Sequence, residues 1–92
     1  MLSTKERARA VGEQIVKARK RAGLSQVDLA KKLAERYGKD AETIRRSLVN
    51  NETGKYAPRL HMLEAIAEAT GQSLDFFSVE GENGSPFPGV EG

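Results

Sequence analysis

Fifteen Lys and Arg residues supply the most abundant reactive chemistry of this 92-residue chain, and all of them lie at or before Arg59. Over residues 1–59 they face seven acids, Glu6, Glu13, Asp28, Glu35, Asp40, Glu42 and Glu52, for a net charge of +8. Residues 60–92 hold six acids and no base, for a net charge of −6. A cationic first two-thirds beside an acidic remainder predicts a polyanion-binding face, with the acidic part turned away from it. The bland alternative is a solvated charged surface whose split is accidental. Other chemistries are poorly provided for. Without cysteine there is no disulfide or thiol catalysis, and His61 is the lone imidazole, too little for a transition-metal cluster or a Ser-His-Asp set. No phosphate-cradling glycine loop occurs, and the acids sit at helix caps and exposed faces. The chain therefore reads as a non-enzyme, with no metal or cofactor.

The elements that must carry these charges belong to one domain. With 38% apolar and 30% charged residues and a mean hydropathy of −0.55, the composition is that of a soluble globule with a single core. No apolar run approaches the roughly 18 residues of a membrane span. The opening MLSTKERARAVGEQ has charge without an apolar block behind it, so it does not read as a secretory signal, and the cytoplasm is the expected compartment.

Ser3 and Glu6 stand at capping-box spacing, and Ala8, Val11, Ile15, Ala18 and Ala22 form the stripe of one helix face that Gly23 ends. Leu24 is expected to close over the last turn, and Ser25 with Asp28 opens a second helix over about 26–37, with Leu29, Ala30, Leu33, Ala34 and Tyr37 inward and Gly38 as its stop. Asp40 caps a third helix, AETIRRSLVNNE. Its inward positions are Ala41, Ile44 and Leu48, so Glu42, Arg46, Val49 and Asn50 point the other way. The turn formers 50–54 follow, and Pro58 is expected at the first position of a fourth helix, with Leu60, Leu63, Ile66 and Ala67 as its core stripe and Gly71 as its end. Ser73 then caps a short LDFF segment whose Leu74 and one of Phe76 or Phe77 seal the core. No segment alternates as a strand does. The reading is an all-α bundle of four to five helices over 1–79, and a disordered acidic Gly/Pro tail or linker over 80–92.

Residues 15 to 77, about two-thirds of the chain, resemble the phage repressor and Cro type of helix-turn-helix domain, the Xre-like family of DNA-binding regulators. The likeness rests on Ala18-Arg19 before Ala22-Gly23-Leu24-Ser25-Gln26, then Leu29-Ala30, then Glu52-Thr53-Gly54 with Pro58, and Leu63 to Ile66-Ala67 leading through Gly71 to Ser73-Leu74. One departure stands out. The stretch from Leu29 to Gly54 is longer than the family pattern by roughly two helical turns, about eight residues at 3.6 per turn. The second and third helices are accordingly read as lengthened.

The resemblance implies a sequence-specific transcriptional regulator of the repressor kind that reads the major groove with helix 41–51. Arg46, central on the outward face, would meet a guanine edge, and Asn50 an adenine or a phosphate. Glu42 and Thr43 would accept from cytosine amino groups or touch a thymine methyl, and Val49 would pack on such a methyl. Arg45, at the flank of that face, is expected at phosphate. Gln26, at the second helix N-terminus, is a backbone contact by both the dipole argument and the resemblance. Ser25 is a cap or a contact, and can be both. The loop residues Asn51, Thr53, Lys55 and Tyr56, with Arg59, would hold the neighbouring phosphates. Glu52 repels phosphate and is expected to steady the loop or an arginine of the fold. Lys5, Arg7 and Arg9 are either a basic arm or merely solvated, and His61 is expected on the surface.

Two other classes compete with this reading. One is an antitoxin-like interaction module with autoregulatory DNA binding and a protein partner held after Leu60; the other is a backbone binder that reads no bases. Because one recognition helix covers too short a word to pick a site from a genome, a homodimer is expected at least on DNA. Its contact is sought after Leu60, where Leu74, Phe76, Phe77 and Val79 exceed what a short terminal helix can bury.

Overall fold

The structure, a computed structural model, describes residues 3–78. Four α-helices follow one another, α1 (Thr4–Arg21), α2 (Gln26–Tyr37), α3 (Ala41–Thr53) and α4 (Leu60–Thr70), and a single 3-10 turn, Leu74–Phe77, closes the described chain. The described residues contain no strand, so the all-α expectation holds. The expected tail, 80–92, and Val79 lie outside the described residues.

Local signals set most of the boundaries. Ser3 and Glu6 make their capping box at the start of α1, and Ser25 with Asp28 makes another at the start of α2. Asp40 accepts from the Thr43 amide at 3.1 Å to start α3. Between α1 and α2 the Leu24 amide reaches back to the Arg19 carbonyl at 3.1 Å and the Gly23 amide to that of Lys20 at 3.0 Å, and Leu24 is half-buried over the last turn. The joint between the two helices is thus only the four residues 22–25.

α3 is wedged between α1 and α2, and α4 packs across both α1 and α2. The core is Val11, Ile15 and Ala18 of α1, Leu29, Ala30 and Leu33 of α2, Ile44 and Leu48 of α3, and Leu63, Ala65, Ile66 and Ala67 of α4, Ala65 being an addition to the expected stripe. Phe77 is fully buried against them. Ala22, placed on the α1 stripe by spacing, is instead the exposed C-cap residue.

α4 departs from expectation at its start. Pro58 does not open the helix, because residues 57–59 remain non-helical and Arg59 is extended at φ −76°, ψ 160°. The first α4 bonds run from the Met62 and Leu63 amides to the Arg59 carbonyl at 3.0 and 3.1 Å. Leu60 thus falls at the first helical position, outside the core, and is 38% exposed rather than part of the buried stripe. Across the bundle, Arg36 of α2 pairs with Glu68 of α4, and the Tyr37 hydroxyl donates to the His61 carbonyl at 3.0 Å. His61 is exposed, as its place off the α4 core stripe predicted, and lies edge-on to the Tyr37 ring at 5.8 Å between centroids.

Candidate nucleic-acid interface

Three anchors hold α3 in place. At its N-terminus Gly38 adopts φ 66°, a conformation that a side chain would strain, and turns the chain into Asp40. Near its C-terminus the Glu52 carboxylate, 4% exposed, receives Arg19 Nε at 2.7 Å and Nη2 at 3.2 Å, and Gln26 Nε2 at 2.9 Å. Arg19 also donates through Nη1 to the Leu24 carbonyl at 3.1 Å, so one guanidinium ties α1, the α1–α2 joint and α3 together. A charge this far from water requires such full pairing, and Glu52 receives it. The expected role of Glu52 is therefore met, with Arg19 as its arginine.

The third anchor is the close passage of α1. An ideal Cβ on Gly12 would stand 2.4 Å from the Asn51 carbonyl oxygen and 2.5 Å from that of Glu52, so only glycine lets the two backbones approach. A Cβ on Gly54 would likewise meet Arg9 Cα at 2.7 Å. The loop after α3 is pinned from the helix itself, because the Lys55 and Tyr56 amides bond the Asn50 carbonyl at 2.9 and 3.3 Å.

With its back anchored, α3 turns a definite face outward. Glu42, Thr43 and Arg46 are exposed, while Arg45, Val49 and Asn50 are half-buried. Arg45, Arg46, Val49 and Asn50 line one surface depression of about 290 Å³. Arg46, with a side chain 76% exposed, is centred on this face as expected, and Val49 is an apolar residue among polar ones. Thr43 faces out with its hydroxyl 3.4 Å from the Asp40 carboxylate.

Other expected contacts are placed differently. Asn51 is buried, 6% exposed, and donates Nδ2 to the Tyr56 carbonyl at 3.0 Å, so it secures the loop from within instead of facing a phosphate. Its position on the wheel, one turn after Leu48 and two after Ile44, was the signal that its amide belongs inside. The Gln26 side chain is committed to Glu52, which leaves the α2 N-terminal backbone, not the amide group, as the part of Gln26 free to meet an anion. Glu42 does not offer open carboxylate oxygens: both are held by Arg45, at 3.1 and 2.9 Å. The Arg45 hydrogen bond, followed by the charges of Arg45 and Arg46, holds the Glu42 carboxyl below its usual range, and the same bond raises Arg45. Ser25 is exposed at the N-terminus of α2 and is occupied in both directions by Asp28.

Thr53, Lys55, Tyr56 and Arg59 are all exposed around the α3–α4 loop. Thr53 bonds the Asn50 carbonyl at 3.3 Å, and the Lys55 ammonium lies 5.6 Å from the Tyr56 ring centroid. On the opposite flank of α3 a cleft of about 390 Å³ brings Arg59 together with Lys39 and Ser47, two residues that the helix-face argument passed over. Lys39 precedes the α3 cap and Ser47 sits on an exposed position, so position relative to the outward face was the available signal. Two cations and no carboxylate line that cleft. Among the described residues no group of His, Cys, Asp and Glu is arranged to hold a metal, and no helix is long and apolar enough to cross a membrane.

Compared with known protein families, residues 15–77 match one described as helix-turn-helix. No curated protein and no solved structure matches the chain.

Proposed function

The chain belongs to the helix-turn-helix family of DNA-binding regulators, of the phage-repressor and Xre-like kind, and on that premise we propose that it is a sequence-specific repressor that reads the major groove with α3. The observation that carries this reading is the rigid presentation of α3: its inner side is locked by Arg19, Gln26 and Gly12, and its outer side offers Arg46, Val49 and Asn50 on one surface. A 13-residue helix is about 20 Å long, and the groove, about 12 Å wide, admits one helix with its side chains at the base edges. Arg46 donates to guanine, Val49 lies against a thymine methyl, and Asn50 pairs with adenine or phosphate. Thr43 touches bases at the first turn. The α2 N-terminus with Ser25 and Gln26 on one side, and Thr53, Lys55, Tyr56 and Arg59 on the other, hold the flanking phosphates.

The protein acts in the cytoplasm as a binding protein rather than an enzyme, and as a homodimer on a near-palindromic site. Phe77 is spent in the monomer core, which removes it from the candidate dimer contact. Phe76 is half-buried, with its ring edge on Phe77 at 5.4 Å between centroids and the Arg21 guanidinium 5.2 Å from its centroid. The dimer contact is therefore sought around Phe76. Selection of bound sequences from random duplex DNA tests the function: a regulator enriches one half-site, repeated about one helical turn away, whereas a backbone binder enriches nothing. Sedimentation on the selected site tests assembly, and a 1:1 complex would sink the dimer.

A further inference from the structure

Arg45 and Glu42 are joined in one particular orientation. Arg45 Nε donates to Glu42 Oε1 at 3.1 Å and Nη2 donates to Oε2 at 2.9 Å. A guanidinium carries five donors in one plane and can meet a pair of acceptors along two edges, the side edge of Nε and Nη2 or the end edge of Nη1 and Nη2. Glu42 takes the side edge. Among the described residues nothing accepts from the end edge, and Arg45 lines the same outward depression as Arg46, Val49 and Asn50. Arg46 is held less closely, with Nε 3.7 Å from Glu42 Oε2.

We propose that Glu42 is a positioning residue that fixes Arg45 as a reader of guanine, not as a phosphate contact. This inference rests on the major-groove reading above. Guanine offers two acceptors, N7 and O6, in the groove, and they match the end edge that Glu42 leaves open. A phosphate would meet a carboxylate beside its guanidinium, so the pair as a unit is a poor phosphate clamp while remaining a good bidentate donor. Because the side edge is bound before DNA arrives, the plane of the guanidinium is already set, and less side-chain freedom is lost on binding. The lowered Glu42 carboxyl and the raised Arg45 agree with a pair that stays charged on both sides.

The test is selection from random duplexes with the wild type, Arg45→Lys, Glu42→Gln and the double variant, beside salt titrations of each on one duplex. Arg45→Lys keeps the charge but has no bidentate edge, so it loses guanine preference at one position by about tenfold or more. Its salt slope stays that of the wild type. Glu42→Gln weakens preference at that same position several-fold, and added to Arg45→Lys it changes nothing further. The proposal is overturned if Arg45→Lys leaves the selected sequence unaltered. It is overturned equally if Glu42→Gln alters a different base position, which would make Glu42 itself the reader. A wild type that selects no sequence at all is a separate result, and it removes the proposed function along with this inference.

Discussion

Arg19 of α1 and Glu52 of α3, 33 residues apart in the chain, form a two-point ion pair with side chains only 12% and 4% exposed. The pair joins the first helix to the end of the helix that faces outward, and Gln26 completes the carboxylate's hydrogen bonds. Removal of one partner leaves the other charged and buried, which costs about 3–5 kcal/mol. Glu52→Ala and Arg19→Ala should therefore each lower the urea midpoint strongly. The double replacement Arg19→Met with Glu52→Leu should cost much less than the two single losses together. Single variants that unfold within 1 kcal/mol of wild type, an order-of-magnitude threshold for exposed pairs, would assign the pair no structural weight.

Gly12 makes a second, opposite prediction. Alanine in a helix interior normally stabilises by about 1 kcal/mol relative to glycine. Here the added Cβ meets two backbone carbonyl oxygens, at 2.4 and 2.5 Å, and backbone cannot swing away as a side-chain end can. Overpacking of this kind costs roughly 1–3 kcal/mol, so Gly12→Ala should lower Tm in a calorimetric scan. A raised Tm would mean that α1 and α3 separate without penalty.

The charge distribution predicts how binding responds to salt. With about five phosphates engaged, log K for duplex DNA should fall against log salt with a slope near −4.5, at about 0.9 per phosphate. A slope near zero would remove the DNA role. Arg46→Ala should relax preference at one base position at about 1–3 kcal/mol, while Lys55→Ala should weaken all duplexes alike and flatten the slope by about one. Equal weakening of every sequence by Arg46→Ala would mean that the outward face of α3 is wrongly assigned.

Asp28 ties the start of α2 to pH. Hydrogen bonds from the Ser25 backbone and hydroxyl, with the charges of Lys31 and Lys32, hold its carboxyl below the ordinary 3.8. A depressed carboxyl contributes stability that is present above its unfolded value and is lost as pH falls through the folded one. Asp28→Ala should thus be less stable than wild type at neutral pH, and the gap should close on acidification below about pH 3.8. Denaturant melts at neutral and strongly acidic pH would check this, and the absence of a gap at neutral pH would assign the cap's contribution to the Ser25 hydroxyl alone, whose bond to the residue 28 amide the variant keeps.

The amino-acid sequence by itself determined the helices and nearly all their ends, because caps act between residues three or four apart. Ser3 with Glu6, Ser25 with Asp28, and Asp40 with Thr43 pair as their spacing requires. The outward face of α3 was legible for the same reason, since Ile44 and Leu48 define its inner side locally. What only the tertiary structure decided depends on residues far apart in the chain. Its charge marked Glu52 as a support for the loop or for an arginine of the fold, but the choice of Arg19 required α1 to lie across the end of α3. Phe77 rather than Phe76 entered the core because the closing turn meets α1 and α4 from one side. Such choices are settled by packing between elements, and no window of local sequence contains both partners.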